Sequence, residues 1–206
     1  MILFDGCSWT MGAELEEPNH DRWSTLVSDH FQTDHVNLGE GGKSNDGILR
    51  TTIEYCENHK VDFAVIQLTK NNRREILNNV SYKRLNPTQT DSAVVSYYKY
   101  LNTQEDDTAN YYKNKFLLEH YLTVNKIPYY FVRITHRYPT ISSIKPSSWQ
   151  MMSDSSPVHC LYDVLGGVNS PYLNYRKKEN RHTHPNAKGH RRIADYILKN
   201  LKGVFL

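Results

Sequence analysis

Apolar positions along the chain fall into two alternating patterns. Short runs, Ile2-Leu3-Phe4, His35-Val36-Asn37-Leu38, Val61 to Leu68 and Pro128 to Ile134, read as buried strands. The first stops at Asp5-Gly6 and the second at Gly39, Gly41 and Gly42, residues that favour turns. Between these runs apolar residues recur at helical spacing. Trp23, Leu26, Val27 and Phe31 predict a helix over about 20–31. Ile48, Ile53 and Tyr55 predict one capped by Ser44. Tyr111, Phe116, Leu117 and Leu122 predict one over about 107–125. Ile193, Ala194, Ile197, Leu198 and Leu201 predict a last helix over about 186–201.

The near-continuous apolar run Val61 to Leu68 suits a parallel sheet covered on both faces. Strands alternating with helices then predict a three-layer α/β architecture. In such sheets the ligand crevice lies beyond the carboxyl ends of the strands. The loops after Asp5, Leu38, Leu68 and Ile134 are therefore the places to look for chemistry. Two polar stretches, about 70–105 and 137–180, read as insertions within a single domain covering 1–206. No internal repeat is visible.

Composition narrows the class. The chain has 206 residues, 38% of them hydrophobic, enough for one domain with its own core. The net charge of +3 is small, and the basic groups Arg73-Arg74, Arg176-Lys177-Lys178 and Arg191-Arg192 are scattered, so no nucleic-acid partner is expected. Three cysteines without a CxxC argue against a disulfide framework or a zinc ribbon. The start Met1-Ile2-Leu3-Phe4-Asp5-Gly6 has no basic leader, and no apolar run is long enough to span a bilayer. A cytoplasmic protein without a membrane partner is the expectation.

Four loops carry candidate chemistry. In Asp5-Gly-Cys-Ser-Trp-Thr-Met-Gly12, Ser8 follows a strand and opens a helix, so it is either a cap or a hydroxyl raised at the top of the sheet. Cys7 is a conceivable nucleophile, but no arginine follows it as in a phosphatase-like cysteine loop. The glycines of Asn37-Leu-Gly-Glu-Gly-Gly-Lys-Ser44 let backbone amides approach a ligand, although the spacing is not that of a Walker A loop. Asn71 in Leu68-Thr-Lys-Asn-Asn72 offers an amide donor or closes an Asx turn. In His182-Thr-His-Pro-Asn-Ala-Lys-Gly-His190, a Pro-Asn helix entrance places His184 on a loop and His190 on the helix surface. His182 and His184 could chelate a metal, but the block holds no Asp, Glu or Cys to complete a site.

These blocks, in this order, resemble the SGNH (GDSL-type) hydrolases. The resemblance runs from residue 4 to about residue 194. It implies a three-layer α/β/α, flavodoxin-like fold with a parallel sheet of about five strands. It makes Ser8 the nucleophile and His184 the base. The Ser8 amide, the Gly42 amide and the Asn71 side chain would form the oxyanion hole, with no cofactor and no metal. Cys7 stands where the family motif has aspartate. A second departure matters more: the family acid, two or three residues before the histidine, is replaced by Arg181 and His182. Glu179 and Asp163 are the candidates for a substitute. The polar, tyrosine-rich insertions suit a short acyl group, such as acetyl, on a small-molecule or carbohydrate carrier. Two rivals stand beside this reading: a binding module that keeps the crevice without turnover, and a nucleotide- or flavin-binding domain.

Overall fold

The computed structural model describes residues 1–78, 81–134, 158–176 and 181–201. A five-stranded sheet lies at the centre, built from β1 (Ile2–Asp5), β2 (His35–Asn37), β3 (Phe63–Leu68), β6 (Tyr129–Arg133) and β7 (His159–Cys160). Its order is β2-β1-β3-β6-β7, and every neighbouring pair is parallel. The expected three-layer, flavodoxin-like architecture is what forms.

Side-chain alternation explains the layers. Successive residues of a strand face opposite sides of a sheet. Ile2 and Phe4 of β1, with Phe63 and Val65 of β3, point to one core. Leu3, Ala64, Ile66 and Leu68 point to the other. The first face is covered by α3 (Trp23–His30) and by α8 (Ala187–Leu201), through Trp23, Val27, Ile193 and Ile197. The second is covered by α4 (Asn45–Asn58) and α6 (Gln104–Val124), through Ile48, Leu118 and Leu122. β1 and β3 are buried along their whole length, as strands covered on both faces must be.

Several local expectations hold. Ser44 caps α4 by accepting a hydrogen bond from the Gly47 amide at 3.1 Å. Asn186 does the same for α8, accepting from the Gly189 amide at 3.0 Å. A β-carbon on Gly189 would lie 2.3 Å from the Tyr172 carbonyl oxygen, so only glycine fits at this entrance.

Other expectations are corrected. The helix expected over 20–31 is two pieces, α2 (Pro18–Asp21) and α3, separated by extended Arg22. The break has a physical cause: the Trp23 amide donates to Nδ1 of His190, so it needs no carbonyl from a preceding turn. His190 is accordingly not on the helix surface but fully buried. The polar stretch 70–105 contains a hairpin, β4 (Arg74–Asn78) with β5 (Ser81–Leu85), followed by α5 (Ser92–Tyr100). Within 137–180, the described part holds β7, α7 (Leu161–Leu165) and β8 (Leu173–Arg176). No helix among the described residues is long and apolar enough to cross a membrane.

Candidate active site

The strand order changes direction between β1 and β3. From β1 the chain passes outward to β2 and then returns to the opposite side of β1. Such a switch point separates the loops at the carboxyl ends and opens a crevice there. The segment after β1 begins α1 (Ser8–Met11), a single turn closed by left-handed Gly12. Cys7 is its cap residue, so Ser8 is the first helical residue and its hydroxyl is not used in capping.

His184 arrives from the far end of the chain. It lies on β9 (Arg181–Pro185), which pairs antiparallel with β8, so a strand rather than the expected loop carries it. Its Nε2 is 2.9 Å from Oγ of Ser8. Its Nδ1 is 3.0 Å from Oε1 of Glu14, off the line of a straight N–H···O bond. The imidazole thus stands between a hydroxyl and a carboxylate. With Nδ1 facing the carboxylate, Nε2 is the nitrogen left to accept a proton from Ser8.

Glu14 is the carboxylate that the sequence did not reveal. Asp163 is in the first turn of α7, and Glu179 lies outside the described residues. Glu14 follows α1 with φ of 69°, a left-handed conformation that costs a non-glycine residue about 1–2 kcal/mol. Such strain persists where the surroundings fix it, and here they do. Thr183 donates to Oε2 at 2.6 Å, and Arg176 is hydrogen-bonded to Oε1. Burial favours the neutral acid, but the bond from Thr183, the facing His184 imidazole and the bond from Arg176 outweigh it and hold the Glu14 carboxyl down at about 2. Glu14 and His184 side chains are only 20% and 24% exposed, so their attraction is less screened than that of a surface pair. The only local sign in the sequence was a carboxylate shortly after Ser8.

Among the described residues, neither the Ser8 nor the Gly42 N–H donates a hydrogen bond. Gly42 has φ of 72°, a conformation in which any side chain would be strained. A cavity of about 270 Å³ opens over Ser8 and His184. From the loop after β3, Asn72 lines it, whereas Asn71 is 9% exposed and does not. Asn86, beside which Gly42 packs, also lines it.

Cys7 is fully buried, with Sγ 3.5 Å from Oε1 of Gln67, so it is shielded from a substrate. Burial works to raise its thiol. Arg73, the Trp9 amide and the Gln67 and Thr69 side chains prevail and lower it. The arginine missing after Cys7 in the sequence is supplied in space by Arg73.

No protein-family model matches the chain, and no curated protein does. Solved structures do match. The chain has the fold of the G-D-S-L esterases. A psychrotrophic esterase, EstA from Pseudoalteromonas sp., is 15% identical with a TM-score of 0.58, over 98% of this chain and 96% of that one. A member of the lipolytic G-D-S-L family from Veillonella parvula is 15% identical with a TM-score of 0.52, over 96% of each chain. A two-domain esterase active on acetylated mannans is 16% identical with a TM-score of 0.54, over 98% of this chain and 49% of that one. At such identities the G-D-S-L likeness speaks for architecture, and the chemistry rests on the side chains described above.

Proposed function

We propose that this chain is a serine ester hydrolase that removes a short acyl group, such as acetyl, from a polar or carbohydrate carrier. One observation carries the reading: Ser8 Oγ lies 2.9 Å from Nε2 of His184, and Oε1 of Glu14 lies 3.0 Å from Nδ1 of the same ring. A hydroxyl is a poor nucleophile at neutral pH unless a base takes its proton as it attacks. His184 takes that proton, and Glu14 holds the ring and stabilises the imidazolium that forms.

Attack on the ester carbonyl produces a tetrahedral oxyanion. The amides of Ser8 and Gly42 donate to it, together with a side-chain amide from the Asn71-Asn72 pair. Each such donor contributes about 10²–10³ in rate. His184 then protonates the leaving alcohol, and a water activated by the same base releases the acyl group. The polar cavity wall around Asn72, Asn86, Thr88 and Thr183 supports a hydrophilic carrier. The neighbour active on acetylated mannans points the same way. The rival reading, a crevice without turnover, draws on the Arg181 and His182 departure, and the Glu14 carboxylate 3.0 Å from His184 Nδ1 weighs against it.

Hydrolysis of 4-nitrophenyl acetate by wild type, Ser8→Ala and His184→Ala tests the reading. Both substitutions are expected to lower kcat by about 10³-fold or more. Equal rates in all three proteins would overturn it, as would clear preference for long-chain over acetyl esters.

A further inference from the structure

The cavity over Ser8 has a charge that ester hydrolysis alone does not require. Two cationic residues, Lys70 and Arg73, line it, and no Asp or Glu does so among the described residues. The nearby carboxylates are engaged elsewhere: Glu14 with His184, Thr183 and Arg176, and Glu40 with Arg84.

Arg73 is the more informative of the two. It is half-buried, and its Nη1 donates to Thr69 Oγ1 at 3.0 Å and to the Lys43 carbonyl at 3.5 Å. Lys43 follows Gly42, so the guanidinium is anchored next to one of the free amides. Its Nε and Nη2 have no partner among the described residues, and no carboxylate pairs with it there. A guanidinium offers five N–H donors in a planar fork that matches an oxyacid group, and only one nitrogen is used here. A fixed, uncompensated cation at the rim of a cleft attracts anions.

We propose that Arg73 forms an anion subsite of this cavity, so that the ester cleaved there belongs to a molecule bearing a carboxylate or a phosphate. The proposal rests on the Ser8–His184 reading for the word ester, but the subsite itself does not.

The test uses matched acetyl esters: 4-acetoxybenzoate and 4-acetoxyphenyl phosphate against neutral methyl 4-acetoxybenzoate. Mono-4-nitrophenyl succinate against 4-nitrophenyl acetate places the charge on the acyl side instead. In wild type, kcat/KM for at least one anionic ester is expected to exceed that of its neutral twin by about tenfold or more. The ester preferred identifies the oxyacid and the side that carries it. Arg73→Gln should erase most of that ratio, and Arg73→Lys should keep part of it. No anionic preference in wild type would overturn the proposal. So would an equal loss on charged and neutral esters in Arg73→Gln, which would make Arg73 an oxyanion donor instead. If wild type cleaves none of these esters, the hydrolase reading fails. The subsite is then judged by binding of the same compounds to Ser8→Ala protein, measured by ligand-observed NMR. Tighter binding of an anionic compound that Arg73→Gln abolishes would sustain it, and equal binding of charged and neutral twins would sink it.

Discussion

Glu14 shows how a site residue can be invisible in a sequence. The usual place for the acid holds Arg181 and His182, and nothing about Glu14 marks it before folding. Its side chain reaches His184 because a left-handed residue follows a one-turn helix, and Thr183 and Arg176 hold it there. Replacing Glu14 with Gln is expected to keep the fold and to lower kcat by about 10²–10⁴-fold, the effect of neutralising a triad acid. Its pKa also predicts a stability effect. The folded carboxyl, at about 2, lies below its ordinary value of 4.5. The unfolded chain therefore binds the proton more readily, and the stabilisation is present above pH 4.5 and lost as pH falls toward 2. Urea midpoints should decline across that window in wild type and less steeply in Glu14→Gln. Gly42→Ala tests the neighbouring amide: φ of 72° is strained for alanine, so kcat should fall about tenfold or more while Ser8 remains reactive. Asn72 lines the cavity and Asn71 does not, so Asn72→Ala is expected to lower kcat on one substrate more than Asn71→Ala does.

At the scale of elements, what was legible followed apolar periodicity. β1 and β3 were visible because both faces are buried, and α8 because its Ile193, Ala194, Ile197 and Leu201 form one stripe. Ser8 and His184 were legible because each sits in a local block with characteristic neighbours. The β4–β5 hairpin was not, because polar contacts hold it. Arg50 donates to Glu75 at 2.8 Å, and Arg74 pairs with Asp106 and Asp107 at 2.5 and 3.0 Å. Ile76 and Leu77 of the hairpin stay exposed, so no alternation of burial marked the strands. The joint between α3 and α8 was missed for a related reason: His190 is polar, yet it is buried as an acceptor for the Trp23 amide. Burial pushes the His190 imidazole down to about 3, with the charge of His184 adding to the effect. A neutral buried histidine must be protonated on unfolding below its ordinary value of 6.5. Its contribution is thus present above pH 6.5 and is lost as pH falls toward 3. His190→Gln should show a flatter dependence of urea midpoint on pH between 5 and 7.

Across the whole molecule, one buried ion pair links the sheet to the site. Lys43 Nζ donates to Asp5 Oδ1 at 2.6 Å and to the Leu38 carbonyl at 2.7 Å, and the two charged side chains are 1% and 0% exposed. Thr51 and Thr52 of α4 donate to the other Asp5 oxygen. β1, the glycine loop and α4 therefore meet at the Asp5 carboxylate, whose partner Lys43 directly follows Gly42. Breaking a buried pair leaves an uncompensated charge, so Lys43→Met should cost about 3–5 kcal/mol in urea unfolding. Removing both charges, in Asp5→Asn with Lys43→Met, should recover part of that loss. Ser8 remains the residue on which the chemistry turns. The most direct measurement is the rate at which a fluorophosphonate modifies wild type and Glu14→Gln, with the adduct located by peptide mass spectrometry. A single adduct on Ser8 is expected, forming at least about 10²-fold more slowly in Glu14→Gln. No adduct on Ser8, or equal rates in the two proteins, would contradict it.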